Sequence, residues 1–180
     1  MRLWNAAIFA LYAACGPVNT AGPTTAAGGN AGTAAVTAPD ESRPKGAWDA
    51  CYSNFSPDGN AVEDLKKLAR ACGATGGMHP LTGVQTGQQS QSDPVQRFTF
   101  TVPTAGRCYR VYAAGDAGVR DLDVLIRDPA GGDVTGDVTH DSWPVVPPAG
   151  PACFEKPGIY VLEVSVYQGT GKFALQVWGS

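Results

Sequence analysis

The sequence predicts a mainly β protein, a jelly-roll-like antiparallel β-sandwich with one short N-terminal helix. From residue 95 onward, apolar and polar residues alternate in short segments that glycine and proline separate. Strand-like segments that recur about every 8–12 residues are typical of sandwiches and barrels. Residues 56–73 instead place apolar side chains at helical spacing. The length of 180 residues suits one domain with appendages.

The composition argues against several functional classes. The formal net charge of -3 is too small to favour nucleic acid as a partner. The 23 glycines and 14 prolines indicate turns and loops rather than long helices. No apolar run approaches the roughly 18 residues that a spanning helix needs. We therefore expect no integral membrane domain.

The chain opens with the features of a secretory signal peptide, predicted at residues 1–14. Arg2 supplies a positive charge, an apolar stretch follows, and small residues precede Cys15. The segment Tyr12-Ala13-Ala14-Cys15 resembles the lipobox of bacterial lipoproteins. The resemblance implies that Cys15 becomes an acylated N-terminus, carrying chains such as palmitate, and holds an exported protein at the outer membrane or cell surface. Each buried methylene contributes about 0.8 kcal/mol, so several acyl chains together anchor firmly. A plain secretory signal, cleaved after Ala14 or later, is the alternative.

Residues 15–46 predict a disordered linker that follows the acylated cysteine. This segment consists mainly of Ala, Gly, Thr and Pro and contains no aromatic residue. It cannot bury enough apolar surface to offset the entropy lost on ordering. The folded domain is therefore expected at residues 47–180.

Four further cysteines predict a disulfide framework for this domain. They are Cys51, Cys72, Cys108 and Cys153. An even count in an exported chain favours disulfides, and four cysteines allow three pairings. We favour Cys51–Cys72, which brackets one local unit, and Cys108–Cys153, which joins two strand-like segments. Their loops would contribute about 3 and about 4 kcal/mol in the chain-entropy model. A metal site is the weaker alternative because no C-x-x-C is present.

Residues 47–80 form the predicted helical unit. Ser56 or Asp58 is expected to cap a helix that Gly73 ends. Glu63 and Lys67 are expected to pair on its polar face. The apolar stripe, which we expect to pack over one end of a sheet, consists of Val62, Leu65, Leu68, Ala69 and Cys72.

Residues 95–178 contain the predicted strands. Their sequences are VQRFTFTV, CYRVYA, DLDVLIRD, ACFEK, YVLEVSVY and KFALQVW. The segments RFTFTV, AGRCYRVYA, DLDVLIRDPAG and KPGIYVLEVSVYQGTGKFALQV are similar to the bacterial pre-peptidase C-terminal (PPC) domain. This resemblance implies a β-sandwich accessory or binding module of the kind usually attached to secreted hydrolases.

An acidic loop is the best candidate for a metal site. Carboxylate oxygens suit Ca²⁺, which takes 6–8 oxygen ligands, but the spacing does not match an EF-hand. The alternative is an acidic, solvated turn with no cofactor. The candidate ligands are Asp121, Asp123, Asp133, Asp137 and Asp141.

Catalysis has little support in the sequence. No G-x-S-x-G, H-E-x-x-H or Gly-rich phosphate loop occurs, so we do not expect an enzyme. Trp143, in the segment SWPVVPP, is the first candidate for an exposed ligand contact, although sandwich cores also use aromatic residues.

The leading hypothesis is therefore a cell-envelope lipoprotein with a non-catalytic β-sandwich for recognition or scaffolding. Its partners would be the membrane, through the lipid anchor, and an envelope protein or glycan. The alternatives are a soluble secreted module that binds carbohydrate or matrix, and an accessory subunit of a secreted hydrolase.

Overall fold

The computed structural model describes residues 47–89, 92–137 and 139–180. The predicted signal peptide, Cys15 and the linker lie outside the described residues, which begin at the predicted start of the folded domain, residue 47. Within the described part, the chain is an antiparallel β-sandwich with one helix of three turns, preceded by a helix of four residues, so the predicted fold class is confirmed. No helix in this part is both long and apolar enough to span a bilayer.

The first sheet, called the covered sheet, has six strands. Its main order is β1 (His79–Pro80), β10 (Gly171–Gly179), β4 (Cys108–Gly115) and β7 (Val145–Val146). Two more strands pair at its margins: β2 (Gln85–Gln89) with β10, and β8 (Ala152–Cys153) with β4.

The second sheet, called the open sheet, has four strands. Their order is β3 (Val95–Val102), β9 (Gly158–Gly169), β5 (Val119–Arg127) and β6 (Asp133–Gly136). The turn after β9 leads into β10, so it carries the chain from the open sheet to the covered sheet rather than closing a hairpin within one sheet.

The main core lies between the two sheets. The alternation in β3 turns Phe100 and Val102 inward, where they pack with Tyr109 and Val111 of β4 and Leu162 of β9. Strand β4 is almost wholly buried although its sequence alternates. The reason is that both faces of the covered sheet are packed: one against the open sheet and the other against a helix.

That helix is α2 (Ala61–Cys72), and it packs on β4 and β10 through a second cluster of buried side chains. Leu65 and Leu68 are fully buried there, against Tyr112 and Ala174. The predicted apolar stripe therefore faces the sheet, with Val62 at its half-buried margin.

The predicted start of the helix is wrong, because residue 61 and not the Ser56 region begins it. The Asn60 side chain accepts a hydrogen bond from the Glu63 amide and caps α2. The fully buried Asp64 carboxylate accepts from the amides of residues 58–60 at 2.8–3.0 Å. These bonds hold residues 58–60 in a turn, so these residues do not extend the helix. The ion pairs also differ: Glu63 pairs with Lys66, and Lys67 with Asp58.

Both favoured disulfides are present. Cys51–Cys72 joins the segment after the short helix α1 (Ala47–Ala50) to the last turn of α2. Cys108–Cys153 joins directly opposed positions of β4 and β8. The first bridge joins two segments of the helical unit, and the second joins two paired strands at a margin of the covered sheet.

Arg110 of β4 attaches the helical unit to the covered sheet. This side chain is fully buried, although it lies on the outward side of β4. Its Nε donates to the Pro147 carbonyl at 3.0 Å, and its Nη2 donates to the carbonyls of Pro148 at 2.6 Å and Trp48 at 3.3 Å. The guanidinium carbon also lies 5.3–5.7 Å from the ring centroids of Trp48, Tyr52 and Tyr112, within the range of cation–π attraction.

We expect Arg110→Ala to lower the free energy of unfolding by about 3 kcal/mol, because it opens a cavity and leaves buried carbonyls without a donor. Arg110→Lys should also destabilise, since a single ammonium cannot reproduce the planar fork of donors. Urea unfolding followed by tryptophan fluorescence measures both effects. Arg120→Ala, at an exposed arginine of β5, is the matched control. Near-native stability of the lysine variant would contradict this account.

Candidate functional site

The outer face of the open sheet is the candidate binding surface. No element of the described chain packs on it, whereas α2 covers the corresponding face of the other sheet. The central strand β9 turns every second side chain outward. These residues are Ile159, Val161, Glu163, Ser165 and Tyr167.

A chain of charged groups crosses this face. Glu163 accepts hydrogen bonds from Nε of Arg97 on β3 and from Nε of Arg127 on β5, both at 2.7 Å. Arg127 also pairs with Asp133 of β6. The hydrogen bonds from Arg127 and Arg97 lower the pKa of Glu163. The four strands are thus linked by a network in which Arg97 stays largely exposed to solvent.

Two large apolar side chains on this face are exposed, Ile159 by 61% and Tyr167 by 78%. Tyr167 lies at a register shift: Val166 pairs with Leu122 and Gln168 with Asp121, so Tyr167 is the extra residue of a bulge. The backbone beside it is satisfied by the buried Gln89 side chain, which bonds the Val164 carbonyl and the Val166 amide.

An acidic corner lies beside Tyr167 near the start of β5. We define it as Asp121, Asp123, His140 and Asp141. The Leu122 amide donates to the Asp141 carbonyl at 3.0 Å, which holds the loop against β5. Asp123 opposes Ser165, the outward residue before Tyr167 on β9.

Burial and repulsion by neighbouring carboxylates disfavour the charged forms of Asp123 and Asp141. Burial, followed by the Asp121 carboxylate, raises the pKa of Asp123, while His140 acts in the opposite direction. Burial also raises the pKa of Asp141, against a hydrogen bond from the Trp143 amide. Asp121 is 5% exposed. Its Oδ2 lies 3.5 Å from His140 Nδ1.

The structure does not assemble the five predicted calcium ligands into one site. Asp133 pairs with Arg127 at the far end of β5, roughly 20 Å along the strand from Asp121. The Asp137 carboxylate accepts from the Thr139 hydroxyl and amide. Within the described ranges, no group of three or more His, Cys, Asp or Glu side chains is arranged to hold a metal ion. The sequence places these residues near one another, but strand pairing separates them.

Trp143 is half-buried rather than an exposed contact. Its ring meets Phe55 edge-on at 5.9 Å, and both belong to the cluster under the helical unit. The predicted ligand contact is therefore only partly accessible, because Phe55 and Val62 of the helical unit pack in the same cluster.

A cleft of about 610 Å³ opens between the start of α2 and β2. Its polar lining comes from Asn60, Thr86, Gln88, Asp116 and Lys172. No histidine, cysteine or serine lines it, and the residues that line it lie on α2, β2 and β10 and in the turns beside them.

No protein-family profile matches the chain, and no curated protein matches it by sequence. Among solved structures, the chain is similar to the pre-peptidase C-terminal domain of a collagenase from Bacillus anthracis. The match has 18% sequence identity and a TM-score of 0.44, and covers 54% of this chain and 89% of that one.

The two kinds of carboxylate on this face should respond oppositely to pH. Because the pKa of Asp123 is raised in the folded state, its ionisation costs stability as pH rises, and Asp123→Asn should stabilise the protein at pH near 7. The pKa of Glu163 is lowered, so Glu163→Gln should destabilise at the same pH. The Asp123 effect should fade as pH falls from its raised folded pKa toward about 4, whereas the Glu163 effect should fade only as pH falls below about 4, through its lowered folded pKa. Thermal unfolding across this range tests the signs, and equal signs for the two variants would contradict the assignment.

Proposed function

We propose that this protein is an exported, envelope-anchored and non-catalytic recognition module that binds its partner through the outer face of the open sheet. The observation that carries this proposal is the asymmetry of the sandwich. Helix α2 buries the outer face of one sheet, while no described element covers the other. The outer face of the open sheet carries exposed apolar and charged side chains.

The residues on this face have the composition of binding surfaces. Aromatic residues and arginine are enriched at protein interfaces, and here Tyr167, Arg97 and Ile159 are exposed on adjacent strands. A face held by strand pairing and by the Glu163 network loses little conformational freedom on binding. This pre-organisation favours recognition by the sheet itself rather than by a mobile loop.

Export and anchoring are proposed from the chain's other features. Two disulfides suit an oxidising compartment. Residues 1–15 resemble a lipoprotein signal, and the Ala/Gly/Thr/Pro-rich segment would tether the sandwich to the membrane.

Metabolic labelling with a palmitate analogue tests the anchor. The expected result is label on the wild-type protein in the membrane fraction and no label on Cys15→Ala, which should become soluble because its only acylation site is lost. Cys51→Ala/Cys72→Ala is the control and should retain label. Equal label on the wild type and Cys15→Ala would overturn the anchor and favour a soluble secreted module.

Site-specific photocrosslinking in intact cells tests the face. A photoreactive residue at Thr99, exposed on the outer face of β3, should capture one dominant partner. The same residue at Ala71, exposed on α2, is the matched control and should capture little. Equal yields at both positions, or none at Thr99, would contradict recognition through the open sheet.

A further inference from the structure

Strand β3 leaves one side of its main chain open at the margin of the open sheet. Among the described strands it pairs only with β9. On β5, the Leu122 amide and the Val124 carbonyl bond to residues 141 and 137, on the side away from β9. Alternate residues direct their main-chain groups to opposite sides of a strand, so the odd-numbered residues of β5 and β9 bond to each other. The even-numbered residues of β9 therefore bond to the even-numbered residues of β3.

The odd-numbered residues of β3 consequently direct their amides and carbonyls to the open margin. They are Val95, Arg97, Thr99 and Thr101. Within residues 47–89, 92–137 and 139–180, no main-chain group outside β9 bonds to them. A row of free main-chain donors and acceptors is the pattern that another extended strand pairs with. The chemistry of this margin therefore specifies a strand as its partner.

Strand β3 lacks the features that usually prevent pairing between molecules. Proteins protect sheet margins with short strands, internal prolines or several charges. The opposite margin of the open sheet, β6, is only four residues long. Strand β3 has eight residues, and Arg97 is its only charged side chain. Pro94 and Pro103 lie just outside it, so they limit pairing to the strand itself.

One inward side chain at this margin is incompletely buried. Phe98 meets Phe173 edge-on, with ring centroids 5.9 Å apart, but is only half-buried. Phe100 and Val102, on the same face of β3, are buried. A strand added beside β3 covers the exposed part of the Phe98 ring, so apolar burial adds to the main-chain hydrogen bonds.

We propose that two copies of this chain pair through β3 as antiparallel edge strands, which joins their open sheets into one continuous sheet. Opposed residues must share a face of the joined sheet, and a two-fold axis at Phe98 satisfies this condition. Phe98 then opposes Phe98 of the second copy, and Arg97 opposes Thr99 of the second copy. This inference goes beyond the proposed recognition function, which concerns the outer face of the sheet and not its margin.

A second copy fits this margin because the strand is complementary to itself. About the axis at Phe98, Val95 meets Thr101 and Arg97 meets Thr99, so all the outward main-chain groups are paired and no like charges are opposed. The two Phe98 residues form a non-hydrogen-bonded pair, where cross-strand side chains lie closest. Such an isologous contact is complete with two copies, so it gives a dimer and not a fibre. A single strand pair is a small interface, so the dimer forms reversibly with concentration.

Sedimentation velocity of the purified chain carrying Cys15→Ala, which removes the predicted acylation site, tests the dimer. The mass should rise with concentration from that of one copy to that of two. Thr99→Pro should weaken the dimer at least tenfold, because it removes an outward amide that the fold does not use, and proline is tolerated at sheet margins. Thr99→Val, which keeps the amide, is the control and should change the affinity by less than twofold. Circular dichroism checks that each variant is folded.

Two charge variants test the pairing without disturbing the main chain. Thr99 is exposed, and in the dimer it opposes Arg97 of the second copy. Thr99→Glu should therefore tighten the dimer and Thr99→Lys should weaken it, each by about fivefold, because every dimer contains two of these contacts. Equal affinities of the glutamate and lysine variants would overturn the inference.

Amide hydrogen exchange measured by NMR locates the interface. The amides of Arg97, Thr99 and Thr101 should exchange slowly only in the dimer, whereas those of Phe98 and Phe100, which bond to β9, should be protected in monomer and dimer alike. Free exchange of the three outward amides in a dimer, or a chain that stays monomeric at every concentration, would refute strand pairing. A monomer leaves the proposed recognition face intact, so the two proposals fail separately. A photocrosslink from Thr99 to a second copy, identified by its mass, would support the dimer.

Discussion

The architecture depends on a buried cation. Arg110 projects from the outward side of β4, where an exposed sheet would place it in water, and instead lies among the carbonyls of residues 48, 147 and 148 and three aromatic rings. Burying a guanidinium is costly unless it is hydrogen-bonded. Here Nε and Nη2 donate to three carbonyls, while Nη1 has no partner among the described residues, so the segments that carry these carbonyls must stay docked. Cys51 follows Trp48 in one of these segments and is bonded to Cys72, which extends the same constraint to α2.

The two sheets differ in exposure as a result. The covered sheet is packed on both faces, so its strands work as a scaffold and its side chains are committed to packing. Only the inner face of the open sheet packs in the core. Its outer face retains exposed aromatic, aliphatic and charged groups in fixed positions, and the bulge at Tyr167 brings one of these groups to the acidic corner. The packing of the covered sheet on both faces thus leaves the outer face of the open sheet as the pre-organised surface.

The patterns in the sequence predict six of the ten described strands, because alternation reflects local geometry, and the four cysteines predict both disulfides. The short strands β1, β2, β6 and β7 were not predicted. Long-range packing accounts for the failures. Nothing near Arg110 indicates that a helix will bury the outward side of its strand. The helix start depends on Asp64 reaching back to the preceding turn. The five aspartates look like one cluster along the chain, yet Arg127 holds Asp133 at the opposite end of β5. The outward positions of Glu163 and Ser165 could have been inferred from the alternation in YVLEVSVY, whereas the bulge that displaces Tyr167 could not.

The Gln89 side chain has a wider consequence for the behaviour of the molecule. Strand β3 begins at Val95, opposite Ser165, and before that pair the structure gives only an isolated bridge at Asp93. The Gln89 side chain donates to the Val164 carbonyl and accepts from the Val166 amide, one on each side of Ser165. Main-chain groups left open at a sheet margin template the addition of strands from other molecules. The Gln89 amide occupies two such groups where the ladder ends, and so removes them from pairing with another chain.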